Sequence, residues 1–473
     1  MDLHQVSAGS ATDLFLTVVG GAEIRSRWTF ARLAEAVDVE AARLRRQGIR
    51  RGDRVGVPAG PPDQFIVAWY ALWSLEAVVV PLNPSAPADD WQRTLTIAQA
   101  QWLWVLPGTP VRLAAAPVRE GDSGAGMILL TSGSTGHPKP VGLAAEQLWL
   151  VAREVQKAHQ LSPSDHEFCP LPLFHVNALV VGVLTSWATG SRLTLPEDGF
   201  HRRVFWHQVQ SVKPSWLNLA PSILSILMDE PPRKPLPPLR MVRSASAPLP
   251  ALIRERVERD WGIPVIETYG MTEAGSQIAA NPWPPDRRRP GTVGIGFGVA
   301  MRVVDQDGLP VSPGQAGEVE ISGPTVIRPH WGPNRWARLR QGWYRTGDIG
   351  RLDADGYLTL EGRVRDLINR GGEKISPREV EEWLLQASGV QDVAVVGRPH
   401  PVLGEEPVAF VVPRETRESD RLPERLRVWA ENGLDRFKRP ADYYIVTRLP
   451  KGHTGKVQRQ ELRHWLLAGG GGH

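Results

Sequence analysis

The sequence predicts an α/β protein that carries a β-rich portion and ends in a separate, smaller domain, and three observations lead there. At 473 residues with 42% hydrophobic content, the chain can bury large cores and exceeds one ordinary domain, so at least two are expected. Short β-branched runs alternate with longer helix-like stretches, the texture of sheets covered by helices. That texture changes twice, near residue 290 and again past residue 365.

In chain order, FARLAEAVDVEAARLRRQG (30–48) predicts a helix, while DRVGVP (53–58), AVVVPLNP (77–84) and MILL (127–130) predict strands. PPRKPLPPLR (231–240) is a proline-rich surface connection. GTVGIGFGVAMRVVDQDGLPVSPGQAGEVEISG (291–323) alternates strands with tight DG and PG turns and predicts a β-rich subdomain. After YLTLEGRVRDLINRGGEKIS (357–376) the pattern resets. EVEEWLLQ (379–386) places Val380, Trp383 and Leu384 on one helical face, and DVAVVG (392–397) follows as a buried strand. A boundary near Gly362 to Arg365 divides the chain into 1–363 and 364–473.

Charge and cysteine usage narrow the function. The 55 basic and 51 acidic residues leave a net charge of +4, too even and too scattered for a nucleic-acid surface. Cys169 is the only cysteine, which excludes an intramolecular disulfide and a thiolate zinc site and suits a reducing cytoplasm. No apolar run approaches the roughly 18 to 20 residues of a membrane span, and the N-terminus lacks the character of a secretion signal, so neither a membrane partner nor a targeting segment is expected. Only eight lysines occur in the whole chain. A lysine inside a glycine-rich loop therefore stands out against a background in which arginine does the routine charge work.

TSGSTGHPKPVGL (131–143) is such a place: three glycines, two prolines, four hydroxyl residues and one lysine after an apolar strand. Small residues let backbone N–H groups approach an anion, hydroxyls donate and lysine neutralises, which suits polyphosphate. The Walker A pattern fails, because Lys139 lies between Pro138 and Pro140. HExxH and GxSxG are also absent, which disfavours metal-hydrolase and serine-hydrolase readings. Taken alone, the loop is equally readable as a surface turn.

The loop has company. TSGSTGHPKP, YGMTEAG (269–275), GWYRTGD (342–348), GRVRDLINRGGEKISPREVE (362–381) and PKGHTGKVQR (450–459) together resemble, in order, the motifs of the adenylate-forming superfamily of acyl-CoA synthetases, carrier-loading adenylation domains and luciferases. The resemblance runs over nearly the whole chain. It implies a large N-terminal domain of packed mixed sheets with helices and a small, mobile α+β C-terminal domain. It also implies two reactions in one site, in which a carboxylate attacks the α-phosphate of ATP to give acyl-AMP and pyrophosphate, and a thiol then displaces AMP.

The same resemblance assigns roles. Thr131, Ser132, Gly133, Ser134, Thr135, Gly136 and Lys139 would hold the phosphates of ATP. Thr272 would donate to phosphate and Glu273 would bind Mg²⁺, a hard cation suited to carboxylate oxygen. Tyr269, with Gly270 and Met271, would flank adenine, as would Ser246 and Ala247 in the loop RSASAPLP (243–250). Asp348, read as following a turn, would accept the ribose hydroxyls, and Arg363 would contact the nucleotide at the hinge. Lys456 would bridge the substrate carboxylate and the α-phosphate, and Gly371 and Gly372 would leave room for the pantetheine arm of coenzyme A. Each residue has a plainer reading as well: a core tyrosine, a helix-start glutamate, a turn aspartate, a surface arginine, a solvated tail lysine, a glycine turn.

LPLFHVNAL (171–179) corresponds to the segment that shapes the acyl pocket, where His175 either gates the pocket or sits as a satisfied core histidine. The texture of LINRGGEKISPREVE and NPWPPDRRRPGTVG is most similar to the oxalyl-CoA synthetase-like branch, which points to a small or polar acid. The leading expectation is an acid:CoA ligase. The alternatives are an adenylation enzyme that serves a carrier-protein pantetheine or another nucleophile, and a catalytically silent nucleotide-binding protein. Three departures from the family pattern stand out: Pro140 replaces the usual glycine and removes a backbone donor, Arg365 replaces the usual hinge Asp or Lys, and Ala245 stands where glycine is frequent, which would narrow the acyl pocket.

Overall fold

The computed structural model describes residues 9–113, 124–132, 138–230, 232, 235–415, 420–452 and 456–467, and it is an α/β fold. The chain forms two compact units. The first comprises Met1–Ser246, Arg256–Met301 and Ile321–Tyr344, and the second Ala247–Glu255, Arg302–Glu320 and Arg345–His473. Among the described residues no helix is long and apolar enough to cross a membrane.

The first unit is built on two sheets. One has nine strands in the order Ile295–Gly296, Ser276–Ala280, Val265–Met271, Met241–Ser244, Trp216–Leu219, His166–Phe168, Arg192–Pro196, Leu14–Gly20, Glu23–Thr29. Its centre is parallel and its two margins antiparallel, so mixed sheets are what the chain forms. The other runs Val111–Arg112, Trp102–Leu103, Arg54–Pro58, Val78–Leu82, Gly126–Ser132, Pro138–Ala144. Arg54–Pro58 and Val78–Leu82 are buried at every position, as expected of parallel strands covered on both faces.

The helices cover these sheets for readable reasons. Phe30–Arg46 starts where the Thr29 side chain accepts from the Arg32 backbone N–H at 3.2 Å. It buries Phe30, Leu33, Ala34, Val37, Ala41 and Leu44, one stripe at helical spacing. Pro62–Ser74 buries Trp69, Tyr70 and Trp73 completely, and the Trp73 indole donates to the Gly126 carbonyl at 2.8 Å. That bond fixes the start of the strand leading into the Gly/Ser/Thr-rich loop.

The β-rich portion is a five-stranded sheet ordered Ala300–Val304, Gly317–Ser322, Trp343–Leu352, Leu339–Arg340, with Leu358–Arg363 also paired to Trp343–Leu352. A further five-stranded sheet joins Glu373–Ile375, Ile368–Arg370, Gly404–Pro413 and Val390–His400, with Tyr443–Ile445 parallel to Gly404–Pro413. The helix Pro377–Leu384 buries Val380 and Leu384 against this sheet. Trp383, on the expected face, packs against the same core and stacks on Trp429 at 5.6 Å, each indole donating to the other residue's carbonyl.

Candidate active site

The Gly/Ser/Thr-rich loop closes a hairpin. Gly126–Ser132 and Pro138–Ala144 pair antiparallel in unbroken register, from Gly126 opposite Ala144 to Ser132 opposite Pro138. Met127, Ile128, Leu129, Val141 and Leu143 bury the stem. Gly133, Ser134, Thr135 and Gly136 lie outside the described residues, as does the side chain of Ser132. Thr131 faces Lys139 across the ladder, and its hydroxyl donates to the Lys139 carbonyl at 3.4 Å.

Pro140 costs this hairpin nothing in ladder bonds. Pro138–Ala144 is the last strand of its sheet. The Pro140 carbonyl accepts from the Trp336 indole at 2.7 Å, and both polar groups of Gly142 bond Asn334, so residues 140 and 142 direct their backbone groups away from the neighbouring strand. A proline there forfeits only an N–H that no strand would have accepted.

The turn Thr272–Ala274 packs against Pro138–Ala144, so Thr272 and Glu273 are brought to the second arm of the hairpin. The strand Val265–Met271 runs into that turn and buries Tyr269 to 7% exposure. Gly270 sits at a bulge where a Cβ would lie 1.8 Å from the Ser276 carbonyl oxygen, so no other residue fits. Met271 ends the strand, and the Glu273 carbonyl accepts from the Ile327 N–H at 2.7 Å. Nearby in the chain's fold, Ser246 holds a left-handed φ of 79° and its hydroxyl accepts from Asn177 Nδ2 at 3.3 Å. Ala247, the next residue, begins the second unit.

His175 is half-buried, its ring 4.4 Å from that of Phe174. It stands just before a π-helical turn, Asn177–Leu184, that the apolar run did not announce. Asn177 opens that turn and joins an interior polar network. Its Oδ1 accepts from Arg243 at 3.1 Å and from Asn218 at 3.3 Å, while Arg243 also donates to Asn218 Oδ1 at 3.0 Å and to Gln277 at 3.2 Å. Asn218 donates to Glu167 at 3.0 Å. Burial pushes the Glu167 carboxyl up to about 8, against the opposing pull of Asn218 and Arg243. Burial likewise pulls the Arg243 guanidinium down to about 10. Arg243 is a functional candidate that sequence reasoning missed. Its only local signal was its place at the head of RSASAPLP.

In the second unit, Asp348 lies inside the strand Trp343–Leu352 rather than after a turn, because Gly347, at φ 75°, kinks the strand without ending it. Asp348 is 5% exposed and pairs with Arg363 at 2.9 Å, the two being opposite each other in the ladder. Lys456 stands within electrostatic reach of both. Burial first, then the repulsion of Arg363, pushes its ammonium down to about 8; Arg365 acts in the same direction, and Asp348 and Asp366 oppose it. Three residues on, Arg459 bonds Glu381 at 2.9 Å and lies 3.7 Å from Asp366, which anchors the helix Arg459–Leu467 that follows Lys456. Gly371 and Gly372, at φ 62° and 98°, form a two-residue hairpin turn between Ile368–Arg370 and Glu373–Ile375.

Among the described residues no three His, Cys, Asp or Glu side chains gather to hold a metal ion. Glu273 alone fits an ion of the Mg²⁺ kind, which keeps waters and binds through one or two carboxylates together with substrate phosphates.

Residues 13–123 and 113–331 match the AMP-binding enzyme family, and residues 379–456 match the AMP-binding enzyme C-terminal domain. An oxalate–CoA ligase from Arabidopsis thaliana is 34% identical over 93% of this chain and 93% of its own length. A sulfoacetate–CoA ligase from Cupriavidus necator is 38% identical over 78% of this chain and 72% of its own. The crystal structure of the anthranilate CoA ligase AuaEII in complex with anthranoyl-AMP superposes with a TM-score of 0.85 at 26% identity, over 98% of this chain and 97% of that one.

Proposed function

The chain belongs to the AMP-binding enzyme family, and on that premise we propose how its residues divide the work of ATP-dependent acid:CoA ligation. The enzyme is an AMP-forming acid–thiol ligase. A carboxylate oxygen of the acid attacks the α-phosphorus of ATP, the bond to the bridging oxygen breaks and pyrophosphate leaves. The sulfur of coenzyme A then attacks the acyl carbon, the bond to AMP breaks and the thiol proton passes to solvent.

Thr131, Ser132, Lys139 and Thr272, with the loop residues 133–136, bind the departing phosphates. Glu273 would hold Mg²⁺, which would neutralise phosphate charge when bound. Tyr269, Gly270, Met271, Ser246 and Ala247 enclose adenine, and Asp348 and Arg363 hold the ribose. Lys456 stabilises the charge that accumulates between carboxylate and α-phosphate. It is carried by a C-terminal domain, 364–473, that swings about the hinge at Arg363 to Arg365 and then presents Gly371 and Gly372 for thiolation. The observation that carries this reading is the gathering of Asp348, Arg363 and Lys456, residues up to 108 positions apart that are near neighbours only in the fold.

The acid is small and bears a second polar or anionic group. The named substrates of the oxalate and sulfoacetate relatives support this. So does the interior cation Arg243 beneath Asn177, because a Glu167 held mostly neutral leaves its charge only partly compensated. His175 faces the acyl group. The single buried cysteine suits a cytoplasmic setting.

The test is acid-dependent exchange of labelled pyrophosphate into ATP across a panel of short dicarboxylic, sulfonated, aromatic and long-chain acids. Exchange confined to the long-chain acids would refute the substrate class. AMP release on adding a carrier protein but not coenzyme A would refute the acceptor.

A further inference from the structure

We propose that Trp336 is a positioning residue for Lys139: the indole seats the lysine ammonium and pins the strand that carries it, so that the lysine meets ATP already placed. The inference rests on reading Lys139 as a phosphate-binding residue.

The short turn Asn334–Trp336 bonds the outer edge of the hairpin at the Pro140 carbonyl and at both polar groups of Gly142. Asn334 is fully buried; its Oδ1 accepts from the Gly142 N–H at 2.7 Å and its Nδ2 donates to the Gly142 carbonyl at 2.7 Å, which mimics a neighbouring strand. Two residues on, the Trp336 indole N–H donates to the Pro140 carbonyl at 2.7 Å. Trp331 covers the stem so closely that a Cβ on Gly126 or Gly142 would stand 2.3 or 2.7 Å from its ring. The hairpin that grips the phosphates is therefore braced by residues nearly 200 positions away in the chain.

Lys139 immediately precedes the braced Pro140, with its Nζ 5.3 Å from the centroid of the Trp336 ring. That is within range of a cation–π attraction, which is worth about 0.5 to 1 kcal/mol at a partly exposed site. A free lysine side chain carries roughly 2 kcal/mol of rotamer entropy, some of which it loses on gripping an anion. A lysine already seated over the ring has lost part of it beforehand, so the seat lowers the cost of the phosphate contact. Proline at 140 completes the device, because its fixed φ stiffens the strand and its carbonyl serves as the anchor.

The experiment is a double-mutant cycle on Lys139 and Trp336, read as KM for ATP in pyrophosphate exchange, with the rate of thiolation from supplied acyl-adenylate as a second readout. Trp336→Leu should raise KM for ATP about five-fold, the equivalent of roughly 1 kcal/mol, with kcat for thiolation unchanged. Trp336→Phe keeps an aromatic face but loses part of the ring and the indole N–H that pins Pro140, so its KM should fall between those of the parent and Trp336→Leu. Lys139→Met should raise KM further, and adding Trp336→Leu to it should do nothing more.

Three results would overturn the seat while leaving Lys139 a phosphate residue: additive effects in the double variant, a Trp336→Phe that behaves like Trp336→Leu, or an unchanged KM in Trp336→Leu. An unchanged KM in Lys139→Met would instead overturn the phosphate role itself, and the seat with it. Should Trp336→Leu fail to fold, Trp336→Met, which also lacks a ring face, takes its place in the cycle.

Discussion

Lys139 lies beside an indole on a strand locked into its sheet and braced along its free edge, whereas Lys456 stands among two arginines and two carboxylates with its ammonium pushed down to about 8. The first is held by shape and the second by charge. An aromatic face and a braced backbone fix where a lysine sits. Burial, and after it the repulsion of Arg363, makes the lysine's own charge conditional on pH and leaves the group ready to gain from any anion that arrives. In the proposed reaction this division is sensible: the phosphates that leave as pyrophosphate are bound from the outset, while the charge opposite Lys456 builds up as the carboxylate attacks the α-phosphate.

The largest expected effect separates the two kinds of lysine. Lys456→Ala should cut acyl-adenylate formation by about 10² to 10³, while thiolation of supplied acyl-adenylate and the thermal midpoint stay near those of the parent. Equal losses in both half-reactions would break the alternation of domains on which the role of Lys456 depends.

Next in size is the brace. Asn334→Ala strips the buried N–H and C=O of Gly142 of their partners, and leaving such groups unsatisfied costs about 1 to 3 kcal/mol. Chemical denaturation should show a loss of about that order, with KM for ATP raised as the hairpin loosens. A stable Asn334→Ala variant with a normal KM would mean that the hairpin needs no outside support.

The first strands and helix were legible because each is self-contained: the apolar runs 53–58 and 77–84 and the striped helix 30–48 declare themselves locally. Asp348 was misplaced because TGD contains a glycine, and a glycine inside a strand looks on paper like one that ends it. After Asn177 the run ALVVGVL is wholly apolar, so nothing in its spacing distinguishes a strand from a buried helical turn. Asn334 and Trp336 left no trace, since their partners lie 192 and 196 residues away and the pattern WGPNRW reads as an ordinary surface turn. Candidate site residues were found through ordered motifs, whereas the residues that hold them in place lie outside those motifs.

A smaller effect probes the charge around Lys456. Its value of about 8 lies below the ordinary 10.5, so the ammonium form prevails below about 8 and is lost above it. In the free enzyme, adenylation should therefore decline as pH rises through about 8, with no matching decline in thiolation. Arg365→Gln removes one repelling charge and should move that decline to higher pH. A decline that stays in place would show that Arg365 adds nothing and that burial and Arg363 set the value.

The smallest effect tests whether a third cation, Arg243, follows the rule of shape or that of charge. Its guanidinium is 1% exposed and tied to Asn177, Asn218 and Gln277, so geometry fixes it as firmly as the brace fixes the hairpin. Its counter-charge, however, depends on pH. Glu167 is raised from 4.5 to about 8 by burial, so the folded protein binds that proton more tightly than the unfolded chain does. The resulting stability is fully present below 4.5 and is lost as pH rises through about 8. Glu167→Gln keeps an oxygen for Asn218 and removes the titration, so the fall in melting temperature between pH 5 and pH 8.5 should shrink by several degrees. If the fall is unchanged, Glu167 does not change its protonation between pH 5 and pH 8.5, which would withdraw the pH-dependent counter-charge of Arg243.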